Sequence, residues 1–281
     1  MKRRYILITA AILIIGIVLA SFYDLDISTA LYFKDNVFSK IFALLAELSF
    51  LFFISVIGGI IFKNSKSFIK NKVLSILFMI GGVIYILVFG YYFSTRFKNS
   101  DSLAGFISVF ESKTLSLVFS LVIAAASFVF GLLFASKFIN DQIKFKKVVA
   151  VSFTMVAAFA ITVLIKKLSV RPRFVYLMEY EDTSLFQNWW QRFEHAAYYM
   201  QLDNVEDRMF ESLPSGHSCY ACCSIIVLAN LDVFNEKLKT KKDLLYVAGL
   251  AFALLVVFSR ILCGLHYLSD VLISLLITIS C

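Results

Sequence analysis

Long apolar runs follow one another along most of the chain and are separated by short polar segments. Each run is continuously apolar and lacks the alternation of a barrel strand, so each predicts a membrane-crossing helix, which needs roughly 20 apolar residues. The candidate spans are residues 5–22, 41–62, 73–94, 115–135, 148–165, 218–233, 244–263 and 267–281, the last of them short. This pattern predicts an all-α fold, a polytopic membrane helix bundle of about eight spans that forms one membrane domain over residues 1–281.

The composition supports a membrane protein. Hydrophobic residues make up 60% of the chain and charged residues 16%, and the mean hydropathy is +0.84. A water-soluble domain could not bury so much apolar surface, because its outside must be largely polar. The net charge of +8 does not indicate a nucleic-acid partner, since the basic residues form short clusters between apolar runs. We expect the bilayer as partner, and the sequence leaves the oligomeric state open.

The distribution of charge predicts the topology. The amino terminus carries Lys2, Arg3 and Arg4, so the positive-inside rule places it in the cytoplasm. With eight spans, the long segment 166–217, which carries eight acidic residues, lies outside. Three lysine clusters fall on the cytoplasmic side: Lys63, Lys66, Lys70 and Lys72; Lys137, Lys144, Lys146 and Lys147; and Lys237, Lys239, Lys241 and Lys242.

The first run also resembles a signal peptide, because an apolar stretch follows the basic start. No small-residue cleavage site is evident, so we expect an uncleaved first helix. Frequent lysine, isoleucine and phenylalanine with only two prolines favour a bacterial plasma membrane.

The five cysteines all lie in apolar segments, at positions 219, 222, 223, 263 and 281. Cys219 and Cys222 have the spacing of a zinc-ligand pair, but no second pair matches it. We therefore expect packing residues, with no metal site and no disulfide framework.

Three polar stretches carry the candidate chemistry, and the predicted topology places all of them at the outer ends of helices. They run from Lys166 to Arg173, from Pro214 to His217, and from Ser259 to Asp270. Lys166, Arg173 and Arg260 supply three cations suited to the oxygens of a phosphate group.

The second stretch predicts the start of a helix. Pro214 and Ser215 open it, with the proline where a missing N–H costs nothing, and Gly216 allows the backbone to approach an anion closely.

The two motif histidines suit nucleophilic and acid catalysis. His266 and Asp270 are four residues apart, so on one helix they would share a face. The carboxylate could fix the imidazole tautomer and leave the other nitrogen free to attack phosphorus. His217 would then protonate the leaving oxygen.

These stretches resemble the signature of the type 2 phosphatidic acid phosphatase (PAP2) superfamily, written K-x6-RP, PSGH and SR-x5-H-x3-D. The resemblance covers residues 148–281, which would form the catalytic core. It implies that His266 is the nucleophile of a phosphohistidine, that Asp270 orients it and that His217 is the general acid. It also implies that no metal or other cofactor is required. The residues implied to hold the phosphoryl oxygens are Lys166, Arg173, Ser215, Gly216 and Arg260.

Two features depart from the family pattern. Arg173 is followed by Phe174, and the Arg-Pro pair is Arg171-Pro172. Either Arg173 keeps the phosphate role, as its spacing from Lys166 suggests, or Arg171 shares it. Members commonly have three spans before the first motif and this chain has five, which preserves the parity and keeps the site outside.

Residues 174–213 are expected to form an outer-face loop. Its aromatic stretch around His195, with Trp189, Trp190, Tyr198 and Tyr199, suits either a lid over the site or an anchor at the membrane–water interface.

The function expected is a membrane phosphatase acting on a lipid phosphate or diphosphate. Phosphatidate, phosphatidylglycerophosphate and undecaprenyl diphosphate are candidates. The alternatives are a phosphotransferase of the same family, a phosphatase for a water-soluble ester, and a polytopic anion transporter. Transporters usually bind near the bilayer midplane, whereas these residues cluster at helix ends.

Overall fold

The computed structural model describes residues 3–139, 141–202 and 204–281. The described chain is 81% helical and contains no strands, so the prediction of an all-α helix bundle is confirmed. Lys2 and Asp203 lie outside the described residues, as do the side chains of Arg3, Arg4 and Lys137.

Most of the membrane helices are longer than the apolar runs that predict them, whereas α8 and α10 are two residues shorter than theirs. In the described residues the α helices are α1 (Arg3–Leu31), α2 (Val37–Phe68), α3 (Lys72–Phe97), α4 (Lys113–Phe138), α5 (Gln142–Ser169), α6 (Phe174–Glu179), α7 (Ala196–Leu202), α8 (Gly216–Ala229), α9 (Lys242–Leu262) and α10 (Leu268–Ser280). Short 3₁₀ helices lie at Leu103–Gly105, Ser108–Glu111, Thr183–Leu185, Asp207–Phe210, Leu231–Val233 and Glu236–Lys241.

Seven helices of the described chain are long and apolar enough to cross a membrane, and α10 is a shorter apolar helix. Large apolar side chains on these helices point outward; Ile12, Leu133 and Phe153 are 62%, 70% and 72% exposed. Water would disfavour such a surface, whereas lipid solvates it. The chain therefore has the helices and the surface of an integral membrane protein.

The chain divides into two compact units. The first comprises Met1–Phe42, Ala157–Cys222 and Phe252–Cys281, and it contains all three motif stretches. The second comprises Ala43–Val156 and Cys223–Ala251.

The second unit is held together by close helix approach and by paired charges. A side chain at Gly59 or Gly131 would collide with the facing backbone, so these glycines allow α2 and α4 to pack closely. The buried carboxylate of Glu47 lies 3.4 Å from Nε of Arg96. Two of the predicted cytoplasmic lysine clusters meet at one carboxylate, because Asp232 pairs with Lys147 and Lys242 at 3.3 and 2.8 Å.

In the first unit, α1 packs against α10 and also supports the segment 174–213. The indole N–H of Trp189 donates to Ser21 Oγ on α1 over 2.9 Å. This segment has its own small apolar core, in which the rings of Phe193 and Phe210 stack with centroids 5.8 Å apart and Tyr176 is fully buried. The predicted outer-face loop is therefore a packed segment with short helices.

The turn between α9 and α10 depends on Gly264, whose φ is +68°. Residues with a side chain rarely adopt this angle, and a Cβ at this position would also lie 2.7 Å from the Tyr32 ring. The tight turn allows the chain to reverse within a few residues and to place His266 next to α10.

Candidate active site

Backbone hydrogen bonds bring the three motif stretches side by side. The N–H of Arg173 donates to Met209 O over 2.8 Å, and the N–H of Ser212 donates to Arg171 O over 3.0 Å. The N–H of Val175 reaches Gly264 O, also over 2.8 Å. The first stretch is therefore fixed between the residues that precede α8 and the turn that precedes α10.

Ser215 closes the second motif onto the third. It precedes the first residue of α8, and its Oγ accepts a hydrogen bond from the N–H of Ser218 over 3.3 Å, as a helix cap does. Its N–H donates to Asp270 O over 3.2 Å, and its carbonyl accepts from Ser274 Oγ over 2.7 Å. The expectation that Pro214 starts the helix is wrong by two residues, because Gly216 is the first helical residue and Ser215 holds the cap position.

His266 does not lie on the same helix as Asp270, so the expectation of a shared helix face is wrong. His266 lies in the turn, and α10 begins at Leu268. The cause is local: Asp270 Oδ2 accepts the backbone N–H of Tyr267 over 2.9 Å, which starts the helix after His266. Nδ1 of His266 lies 2.6 Å from Ser212 O and 3.9 Å from Asp270 Oδ2.

This geometry fixes the tautomer of His266. A carbonyl oxygen only accepts, so Nδ1 carries the proton and donates it to Ser212 O. Nε2 then keeps its lone pair. The carboxylate of Asp270 lies close enough to act on the ring electrostatically, but the ring donates its hydrogen bond to the carbonyl of Ser212.

The surroundings of His266 favour a neutral imidazole. Burial is the first cause that holds the pKa of His266 well below its ordinary value of 6.5. The charges of Lys166, Arg173, His217 and Arg260 act in the same direction. The structure therefore brings the two motif histidines and the three predicted cations into one electrostatic environment.

Each of the three cations is held by a different part of the first unit. Lys166, on the last turn of α5, donates to Glu211 O over 2.5 Å. Arg260 is fully buried near the end of α9, where its Nε donates to Ser259 Oγ over 3.1 Å and its Nη2 donates to Ser39 O. Arg173 is also buried, immediately before α6. These positions suit a site that surrounds a phosphate from several sides.

Arg171 has a different environment. Its Nε donates to Gln187 O over 2.8 Å, its Nη1 to Asp270 Oδ1 over 2.5 Å and its Nη2 to Asp24 Oδ2 over 3.0 Å. The guanidinium carbon also lies 4.1 Å from the centroid of the Tyr267 ring. Every nitrogen of Arg171 therefore donates to a protein group.

Three residues with contacts to this site were not foreseen from the sequence: Asp24, Ser212 and Ser269. Ser212 Oγ donates to Asp270 Oδ2 over 2.5 Å, and the N–H of Ser269 donates to Asp24 Oδ1 over 2.9 Å. Asp24 lies beyond the predicted first span, but α1 continues past it, and an ionisable residue within a membrane helix is a candidate for function.

The third histidine lies elsewhere. His195 is exposed, whereas His217 and His266 are 3% and 2% exposed. The cysteines at 219, 222 and 223 are buried free thiols. Among the residues that the structure describes, no group of three histidine, cysteine or acidic side chains has the arrangement of a metal site.

The fold and the site define an integral membrane protein in which buried histidines and cations converge, an arrangement suited to binding phosphate. Residues 147–281 match the family model described as PAP2 superfamily. This match supports membership of the superfamily for the carboxy-terminal part of the chain, and it confirms the resemblance seen in the three motifs. Membership indicates phosphatase or phosphoesterase activity. No curated protein and no solved structure matches the chain.

The environment of His266 predicts a pH dependence. As the predicted nucleophile, His266 could attack only with a neutral ring, so we expect activity above the pKa of His266 and its loss as the pH falls through that pKa. Because that pKa lies well below 6.5, we expect the acid limb of kcat/KM to lie below pH 6.5. Lys166→Met removes a cation, raises the pKa of His266 and should move the limb to higher pH.

The matched control for this experiment is Lys167→Met, since Lys167 is exposed and pairs with the Glu211 carboxylate. Ionisation of the substrate phosphate is common to all three proteins and cancels in the comparison. A Lys166→Met limb at or below the wild-type position would contradict the electrostatic role of Lys166.

Proposed function

We propose that the chain is a membrane phosphatase that hydrolyses a lipid phosphate or diphosphate through a covalent phosphohistidine on His266. The observation that carries the proposal is the set of two buried histidines and three cations at the ends of apolar helices. Such a set provides a nucleophile, a proton donor and counter-charges for a phosphoryl group.

The proposed reaction has two steps. The Nε2 lone pair of His266 attacks phosphorus while the bond from phosphorus to the leaving oxygen breaks, and His217 gives its proton to that oxygen. The Nδ1 proton stays on the bond to Ser212 O. Water then attacks the phosphohistidine, His217 takes a proton from this water, and inorganic phosphate leaves with neutral His266 restored.

The phosphoryl oxygens are assigned to Lys166, Arg173 and Arg260, with Ser215 and Gly216 at the start of α8. The N–H groups at that helix start add a partial positive charge. In this proposal no metal supplies charge, because the three cations already do so.

A lipid substrate fits the position of the site. Its headgroup would reach residues at helix ends while its acyl or prenyl chain stays among the apolar side chains outside. Phosphatidate, phosphatidylglycerophosphate and undecaprenyl diphosphate are the substrates to compare. We further propose a bacterial plasma membrane, with the amino terminus cytoplasmic and the site facing outside, because the lysine clusters favour that orientation.

The test is phosphate release by detergent-purified protein from these three lipids, with EDTA present throughout. The panel also contains a short-chain phosphate ester and an acceptor alcohol. EDTA-resistant release from a lipid supports the proposal, and the panel ranks the substrates. Phosphate transfer that occurs only when the alcohol is added would indicate a phosphotransferase. Preference for the short-chain ester would indicate a water-soluble substrate. Binding of the lipids without phosphate release would indicate an anion transporter.

A further inference from the structure

A buried network of charges joins the first helix to the candidate site. Asp24 on α1 is 1% exposed and Arg171 and Asp270 are fully buried. The guanidinium of Arg171 lies between the two carboxylates, 3.0 Å from Asp24 Oδ2 and 2.5 Å from Asp270 Oδ1. The three side chains thus form a carboxylate–guanidinium–carboxylate row that ends beside His266.

Ser269 strengthens this row. It accepts from Arg171 Nη1 over 2.8 Å and gives its own hydroxyl proton to Asp24 Oδ2. The other oxygen of Asp24 accepts the backbone N–H of Ser269. Both oxygens of Asp24 therefore only accept hydrogen bonds, as an ionised carboxylate does.

Such a network is costly unless every member is satisfied. Removing three charges from water carries a desolvation penalty of several kcal/mol for each ion, and a well-packed apolar group would often be as stable. The surroundings of Asp24 offer that alternative, because the preceding turns of α1 bury the apolar side chains of Leu13, Ile17 and Ala20. A charge at position 24 therefore indicates a role beyond packing.

The net charge of the row determines the electrostatic potential at His266. Arg171 alone would neutralise Asp270, the carboxylate that lies 3.9 Å from Nδ1 of His266. Asp24 balances Arg171, so the row keeps one net negative charge. That charge stabilises the positive charge that the ring gains when phosphorus bonds to Nε2.

We propose that Asp24 is a positioning residue of the phosphatase site, which acts through Arg171 to keep Asp270 oriented and effectively charged towards His266. This inference rests on the proposed function. It gives α1 a part in catalysis although Asp24 lies outside the residues 147–281 that match the superfamily model.

The test uses a series of charges in the full-length protein. Asp24→Asn removes one negative charge, Arg171→Gln removes the positive one, and the double variant removes both. Asp26→Asn is the matched control, because Asp26 lies on the same helix and is exposed. All variants are assayed for phosphate release in detergent, with rates expressed per folded molecule.

For Asp24→Asn we expect kcat to fall by about 10- to 100-fold, the usual range for a second layer of contacts, with KM changed by less than about 3-fold. Asp24→Glu, which keeps the charge, should restore part of kcat. Asp26→Asn should match the wild type.

The pH at which the acid limb of kcat/KM lies distinguishes this positioning role from a purely structural one. The groups that face His266 are Lys166, Arg173, His217, Arg260 and Asp270. They are unchanged in the series, so only the charge of the row varies. Losing a negative charge destabilises the protonated ring, so Asp24→Asn should move the limb to lower pH.

The other two variants test the sign of this shift. Arg171→Gln leaves two negative charges and should move the limb to higher pH, and the double variant should bring it back towards the wild type. If Asp24→Asn does not fold, the difference between Arg171→Gln and the double variant supplies the same comparison.

Two results would overturn the inference while the proposed function stands. The first is a wild-type kcat in Asp24→Asn, and the second is an acid limb of kcat/KM that lies at the same pH in every variant of the series. Absence of phosphate release from the wild type and from Asp26→Asn would instead overturn the proposed function, and the inference with it.

Discussion

Replacing His266 with alanine is expected to abolish phosphate release and the formation of any phosphoenzyme. The substitution removes Nε2 of His266. This nitrogen has a free lone pair because the ring proton is on Nδ1, which donates to Ser212 O. Loss of a nucleophile leaves only the contribution of substrate binding and charge stabilisation, so we expect a fall in kcat of about 10⁴-fold or more.

Trapping with phosphate-labelled lipid measures this directly. The wild type should carry label that is released by acid and stable to alkali, as a phosphorus–nitrogen bond is, and His266→Ala should carry none. His195→Gln is the matched control, because His195 is the exposed histidine of the three in the chain. Label retained in His266→Ala would assign the nucleophile to another residue.

The helix bundle was predictable because the bilayer imposes a simple rule on composition. The residues at which the helices end were harder to predict, and α1 shows why. The apolar run stops at about residue 22, whereas α1 continues to Leu31 with Asp24 and Ser28 buried. A hydropathy pattern ends at the first charged residue, but a helix continues where that residue finds partners in the fold.

The candidate site was predictable as a set of residues but not as a geometry. Motif spacing gathered Lys166, His217 and His266, and the structure brings them into one environment. Spacing could not show that Gly264 turns the chain and leaves His266 before α10 instead of on it. The roles assigned to these residues remain predictions.

Spacing also could not decide between the two arginines of the first motif. The first motif fits Arg171 by the Arg-Pro pair and Arg173 by its spacing from Lys166. Arg171 is distinguished by partners that are distant in sequence. Asp24 and Asp270 bind Arg171 from separations of 147 and 99 residues. A single sequence contains no signal that joins such positions, whereas the fold shows the pairing at once.

Replacing His217 with asparagine should have the second-largest effect, and the effect should depend on the leaving group. The alcohol oxygen that leaves from phosphatidate is a strong base and needs a proton as it leaves, so turnover of phosphatidate should fall by about 10²- to 10⁴-fold. A nitrophenolate is a weak base and leaves without a proton. With p-nitrophenyl phosphate, His217→Asn should therefore still transfer phosphate to His266.

The second step then becomes limiting with that substrate, because the same residue must take a proton from water. We expect a burst of nitrophenolate close to one equivalent per folded protein, followed by slow turnover, with labelled phosphoenzyme accumulating. His195→Gln again serves as the control and should turn over both substrates at wild-type rates. Equal losses on the two substrates without a burst would show that the proton comes from elsewhere, because only a proton donor to the leaving oxygen makes the loss depend on the basicity of that oxygen.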